Sequence, residues 1–120
     1  MKKRILVVED NEQNLYLATF LLNKNGYEVI AARNGFEAIE KAKAEKPDMI
    51  LMDMQLPEMD GYEATQRIKG IPELSHIPIV AVTSYAMVGD REKVLAAGCV
   101  GYIEKPITPE TFVSEVEKYF

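Results

Sequence analysis

The sequence predicts an open, doubly wound α/β domain, in which helices cover both faces of one parallel sheet. Three observations carry this reading. Short, wholly apolar runs recur along the chain, and a run without polar alternation is what a strand buried on both faces requires. Between these runs lie segments of about 10–15 residues with apolar side chains at helical spacing. The alternation continues to the end of the chain, with no Pro/Ser-rich linker, low-complexity tract or repeat. Five βα units with right-handed crossovers follow.

The elements come in order. Ile5 to Val8 is the first strand. Leu15, Ala18, Leu21 and Leu22 then mark a helix that Asn25-Gly26 ends with a pair tolerant of left-handed backbone. Tyr27 to Ala32 is the second strand. Asn34, with Glu37 three residues on, reads as a helix N-cap with a capping-box partner. Ala38, Ile39 and Ala42 give that helix its apolar face, and Lys46-Pro47 stops it. Met49 to Met52 is a third strand, with Asp53 directly after it and Pro57 in the following loop.

Asp60 and Glu63 repeat the capping-box pattern, and Gly70 with Pro72 closes that third helix. Ile77 to Val82 is the fourth strand, running into Thr83-Ser84. Met87 to Ala97 is the fourth helix, with Gly98 as its terminating glycine. Val100 to Ile103 is a weaker fifth strand. Thr108 is the expected cap of a fifth helix, with Pro109 at its first position and Phe112, Val116 and Tyr119 as its apolar stripe.

Composition excludes several function classes. At 120 residues the chain fits one domain, residues 1–120, with 48% apolar and 28% charged residues. Fourteen Lys and Arg against 19 Asp and Glu give a formal charge of -5, which argues against a nucleic-acid face built from clustered basic residues. No apolar run approaches the roughly 20 residues of a membrane span. The basic start Met1-Lys2-Lys3-Arg4 is followed by an apolar run that Glu9 and Asp10 cut short, which argues against a secretory signal. The single cysteine, Cys99, cannot form an internal disulfide and reads as a buried small hydrophobe in a cytoplasmic protein. His76, the only histidine, lies in a polar turn and reads as a surface loop residue. Met49, Met52, Met54 and Met59 read as packing.

In open α/β sheets, ligands bind beyond the carboxyl ends of the strands, so those residues matter most. They are Glu9 and Asp10 after strand one, Asp53 after strand three, Thr83 and Ser84 after strand four, and Glu104-Lys105-Pro106 after strand five. Strand two ends in Ala31-Ala32-Arg33 and adds no carboxylate. Three converging carboxylates repel one another unless a cation is present. An all-oxygen donor set with no His or Cys suits a hard cation, and Mg²⁺ fits best. Lys105 adds a point charge for an anion and Thr83 a hydroxyl donor. Together they describe a phosphoryl site with a carboxylate nucleophile.

Four stretches here resemble the receiver domain of bacterial two-component response regulators. They are Val7-Val8-Glu9-Asp10-Asn11, the run from Met52 to Gly61, Val82-Thr83-Ser84, and Tyr102-Ile103-Glu104-Lys105-Pro106. They span the chain in the family's order. Ala86-Met87-Val88-Gly89-Asp90 and Ala97-Gly98-Cys99 further resemble stand-alone cell-division regulators of that family. The resemblance implies the flavodoxin-like strand order 2-1-3-4-5. It also implies that Asp53 accepts a phosphoryl group from the phosphohistidine of a histidine kinase or histidine phosphotransferase. Asp10 and Asp53 would ligate Mg²⁺ directly, the Gln55 carbonyl would be a third ligand, and Glu9 would act largely through water. Lys105 would pair with the phosphoryl oxygens, and its bond to Pro106 would be cis. Thr83 would move toward the phosphoryl group and Tyr102 would rotate inward with it. Gln55 and Tyr85 occupy positions where the family varies.

The implied activity is that of a switch, not of a turnover enzyme, beyond promoting its own phosphorylation and dephosphorylation. Its output would come through protein contact, since no effector domain follows Phe120. A downstream protein partner, a monomer or weak dimer, and no nucleic-acid or membrane partner are expected. The family docks its kinase near the first helix, around Asn14, Leu15 and Ala18. Two other chemistries fit less well. Haloacid-dehalogenase-type phosphatases need an Asp two residues after the nucleophile, where this chain has Gln55. A flavodoxin-like cofactor site needs hydroxyls and glycines after strand one, where Glu9-Asp10-Asn11-Glu12 would repel a phosphate.

Overall fold

The computed structural model describes residues 2–84 and 87–120. Five strands form one parallel sheet: β1 (Arg4–Val8), β2 (Glu28–Ala32), β3 (Met49–Asp53), β4 (Ile79–Thr83) and β5 (Gly101–Glu104). The helices are α1 (Glu12–Lys24), α2 (Gly35–Glu45), α3 (Gly61–Lys69), α4 (Val88–Ala97) and α5 (Pro109–Glu117), with a 3₁₀ turn at Pro72–Leu74. The sheet order is 2-1-3-4-5 and every pairing is parallel.

Successive side chains of a strand point to opposite faces, so the central strands must be apolar throughout. All five residues of β3 and of β4 are buried. Leu6, Val8, Ile50, Met52, Ile79 and Ala81 pack with residues of α2, α3 and α4 on one face. Ile5, Val7, Met49, Leu51, Val80, Val82 and Ile103 meet Leu15, Leu22, Phe112 and Val116 of α1 and α5 on the other. Two cores of different composition therefore flank one sheet. All four methionines read as packing are buried, as is Cys99, while His76 is exposed.

Side-chain caps start three helices, two of them, at Asn34 and Asp60, as read from the sequence. Asn11, Asn34 and Asp60 each accept the backbone N–H three residues on, at 2.9 Å. The reciprocal half of the predicted boxes differs. Glu37 reaches past Asn34 to accept from the Arg33 backbone N–H at 3.1 Å. Glu63 instead pairs with Arg67 one turn on, at 2.6 Å, because an i,i+4 partner of opposite charge competes for it. Thr108 holds the N-cap position of α5, but its side chain makes no capping bond. Strand four begins two residues later than the apolar pattern suggested. Ile77 donates its N–H to Leu74 in a turn, and Pro78 has no N–H for the ladder but accepts from Ile50 at 3.0 Å. Lys46 ends α2 in left-handed backbone, at φ 45°.

Gly61 controls how α3 enters the fold. A Cβ there would lie 2.3 Å from the Asp53 carbonyl oxygen and 2.8 Å from the Met54 Cα. Those are backbone atoms and cannot swing away, so only glycine lets α3 start against the end of β3. Gly70, at the end of α3, has only ordinary contacts near 3.5 Å and a φ of -77°. We therefore predict that Gly61→Ala destabilises the fold by about 1–3 kcal/mol, whereas Gly70→Ala is neutral or stabilising by up to about 1 kcal/mol. Urea unfolding of the two variants checks this; equal midpoints would refute the close approach at Gly61.

Candidate functional site

The sheet register assembles the site. Val8 pairs with Met52, so Glu9 follows β1 at the level where Asp53 ends β3. Asp53 pairs with Val82, and Thr83 pairs with Glu104, so Thr83 and Lys105 come to the same carboxyl edge. The sheet order reverses between β1 and β3, and crevices open at such points. The carboxylates straddle that point. Glu9, Asp10 and Asp53 each offer an oxygen within 4.8 Å of the others, and they form the only such cluster of potential metal ligands among the described residues. Glu9 and Asp53 are buried, at 4% and 1% exposure, and Asp10 is exposed.

One cation holds the two buried carboxylates. The Lys105 Nζ donates to Asp53 Oδ2 at 3.0 Å and lies 3.2 Å from Glu9 Oε1. Its backbone N–H donates to the Thr83 carbonyl at 2.8 Å, which fixes the loop after β5 to the end of β4. The Lys105–Pro106 bond is cis. The other oxygen of Asp53 accepts the Gln55 backbone N–H at 2.9 Å, and Glu9 Oε2 accepts that of Asn11 at 3.1 Å. Thr83 is 1% exposed, and its Oγ1 accepts from the Gln55 side-chain amide at 2.9 Å.

The electrostatics follow from burial and crowding. Burial, and next the charge of Asp53, push the Glu9 carboxyl up from 4.5 to about 7. The Asn11 N–H and Lys105 act in the opposite direction. Burial tends to lower the Lys105 ammonium, but its hydrogen bond and charge contact with Asp53, then with Glu9, outweigh this and raise it. Lys105 is therefore a firm cation beside carboxylates that cannot all ionise cheaply. Such a site fits a dication, because its charge would offset carboxylates whose burial and crowding favour protonation of Glu9. The Cys99 thiol is pushed up to about 11 by burial, which keeps it a packing residue.

Every strand-end residue singled out from the sequence lies at this edge except Tyr102, which sits within β5. Tyr102 is half-buried against the α2–α4 side of the core, with Arg91 of α4 over its ring at 5.2 Å. Strand two supplies no carboxylate, as read; its Arg33 pairs with Glu12 at the start of α1. Tyr85 and Ala86 lie outside the described residues. Two contributions were not legible as such. The Gln55 side chain, as opposed to its carbonyl, reaches Thr83, and Gly61 sets the backbone beside Asp53. The usable signal for Gly61 is a glycine in the first turn of a helix, where it is a poor helix former and so marks a close approach.

The Glu9 shift has a testable consequence in metal-free protein. Its folded value lies above its unfolded one, so the folded state binds more protons between pH 4.5 and about 7. That stabilisation is complete below pH 4.5 and is lost as the pH climbs through 7. The groups facing Glu9 are Asp53, Asp10 and Lys105. We predict that wild type loses stability relative to Glu9→Gln across this window, in melts with a chelator present. Parallel profiles for the two proteins would contradict it.

Comparison with known proteins agrees with this geometry. Residues 5–117 match the model of the response regulator receiver domain. The polar-differentiation response regulator DivK of Brucella anthropi is 47% identical over 119 residues, 99% of this chain and 97% of the relative. DivK of Brucella ovis is 46% identical over the same shares. Among solved structures, the chemotaxis response regulator CheY4 of Vibrio cholerae superposes with a TM-score of 0.96 at 27% identity, covering 100% of both chains. The receiver domain of a sensor histidine kinase from Pseudomonas aeruginosa gives 0.89 at 35% identity, covering 99% of this chain and 98% of that one. That structure holds a magnesium ion in its active-site cleft. Fold, strand-end chemistry and sequence similarity converge: the chain belongs to the response regulator receiver domain family of two-component signalling, and it is similar to DivK.

Proposed function

We propose that residues 1–120 act as one phosphorylation-activated switch with Asp53 as the acceptor. The observation that carries this is the asymmetry among the three carboxylates. Asp53 and Glu9 are both buried, each with a backbone N–H on one oxygen and the Lys105 ammonium at the other, but only Asp53 stands within its strand, at 1% exposure, with Lys105 hydrogen-bonded to it at 3.0 Å. Asp10 is exposed, and Glu9 sits where burial favours its protonated form. A nucleophile needs to be fixed in place, and Asp53 is the most buried of the three and is held at both oxygens.

In the proposed reaction an Asp53 oxygen attacks phosphorus of a phosphohistidine. The new O–P bond forms as the P–N bond breaks, and the electron pair leaves with the imidazole nitrogen of the kinase or phosphotransferase. The Lys105 ammonium moves from the carboxylates to the phosphoryl oxygens and stabilises their charge. The all-oxygen cluster fits Mg²⁺, with Asp10, Asp53 and the Gln55 carbonyl as ligands and Glu9 acting through water. When bound, Mg²⁺ supplies positive charge that offsets the crowded carboxylates and the phosphoryl oxygens. Hydrolysis of the acyl phosphate resets the switch.

The output is a change of surface. Phosphorylation adds about -1.5 to -2 charge and strong acceptor oxygens. The hydroxyl of Thr83, a buried residue at the site edge, turns to them, and Tyr102 follows into the space beside it. The α4–β5–α5 face would then select a downstream protein partner in the cytoplasm. Moving the population from about 1:99 to 99:1 requires phosphorylation to favour the active state by roughly 5.5 kcal/mol.

With Mg²⁺ and acetyl phosphate, intact mass should show one phosphoryl adduct, absent in Asp53→Asn, whose fold should survive because an amide oxygen still accepts from Gln55 and Lys105. An adduct that persists in Asp53→Asn would place the acceptor elsewhere. Lys105→Ala should slow labelling on the order of 100-fold, the usual effect of losing one charge-stabilising group. Thr83→Ala should keep most of the labelling and lose the spectral change that follows it; equal loss of both would make Thr83 part of the transfer chemistry.

A further inference from the structure

The side chain of Gln55 ties the switch hydroxyl to the acceptor loop, and nothing in the proposed transfer chemistry uses it. Its backbone N–H donates to Asp53 Oδ1 at 2.9 Å. Its side-chain Nε2 donates to Thr83 Oγ1 at 2.9 Å, and its Oε1 accepts the Ser84 backbone N–H at 3.4 Å. The orientation of the amide is fixed by chemistry. A backbone N–H can only donate, so the Gln55 oxygen must face Ser84 and the amide nitrogen must face Thr83. Thr83 therefore uses a lone pair in this bond.

We infer that Gln55 is a positioning residue, a latch that holds Thr83 and the start of the β4–α4 connection in the unphosphorylated arrangement. This rests on reading Asp53 and Thr83 as the input and lever of a switch. Movement of Thr83 toward a phosphoryl group on Asp53 lengthens the Gln55–Thr83 bond and strips the amide of its partner. The latch therefore sets the resting population. Because the same residue also carries a backbone bond to Asp53, any shift of the acceptor loop on phosphorylation acts on the latch directly. The loss of one hydrogen bond of ordinary strength changes such an equilibrium by about 2- to 10-fold.

The test compares wild type, Gln55→Ala and the length-matched Gln55→Met by NMR, each with and without Mg²⁺ and beryllofluoride. Resonances of α4 and β5 in wild type define a line between the free and loaded states. Both variants should move the free spectrum toward the loaded end, with the active population up about 2- to 10-fold and apparent beryllofluoride affinity raised in proportion. In a Thr83→Ala background the Gln55 substitutions should leave that affinity unchanged. Free spectra of both variants at the wild-type position, or an affinity change of full size without Thr83, would overturn the latch alone. A wild-type spectrum that does not respond to Mg²⁺ and beryllofluoride would instead remove the switch reading, and the latch with it.

Discussion

The structure turns on one ammonium group placed between two buried carboxylates. Lys105 lies 3.0 Å from Asp53 and 3.2 Å from Glu9. At an effective dielectric near 20, each attraction is worth roughly 5 kcal/mol before desolvation, against roughly 3.5 kcal/mol or more for carboxylates repelling within 4.8 Å. One cation thus compensates two carboxylates, but not three. Burial first, and then the excess negative charge, raises Glu9, and that excess makes the crevice fit a dication. In the proposed switch the same cation would meet the phosphoryl oxygens, so resting stability and reactivity would draw on a single side chain.

That arrangement constrains the backbone around it. Lys105 must leave β5 at the height where Asp53 leaves β3, and the β3–β4–β5 register together with the Lys105 N–H bond to Thr83 sets that height. Asp53 must present both oxygens inward, which the Gln55 N–H on one and Lys105 on the other enforce. The loop after β3 must then turn sharply into α3, and Gly61 lets the helix begin against the Asp53 carbonyl. The route from the proposed acceptor to the start of the β4–α4 connection is short: Asp53, the Gln55 main chain, the Gln55 side chain, Thr83 and Ser84. Its two non-covalent links, Asp53 to the Gln55 main chain and the Gln55 side chain to Thr83, are single hydrogen bonds, a scale suited to the proposed switch, which must move in both directions.

Much of this was readable in the sequence because the signals were local. Unbroken apolar runs identified β1, β3 and β4 as strands buried on both faces. Asn34 and Asp60 announced two helix starts through their own side chains. The site was legible because strand-end positions follow from strand positions, so Glu9, Asp10, Asp53, Thr83 and Lys105 could be placed on one edge before any coordinates. What was not legible depended on distance through space. The start of β4 shifted because Ile77 is drawn into a turn with Leu74, a choice apolarity cannot express. Thr108 looks like a cap by type and position, yet its side chain makes no capping bond. The Gln55–Thr83 contact joins residues 28 apart, and no periodicity encodes it.

The most direct test of Asp53 as the acceptor is a crystal structure with Mg²⁺ and beryllofluoride bound. We expect beryllium on an Asp53 oxygen, Lys105 moved from Glu9 to a fluoride, and Thr83 turned to another fluoride. Beryllium on Glu9 or Asp10, or a Lys105 that stays on Glu9 with the adduct in place, would contradict it.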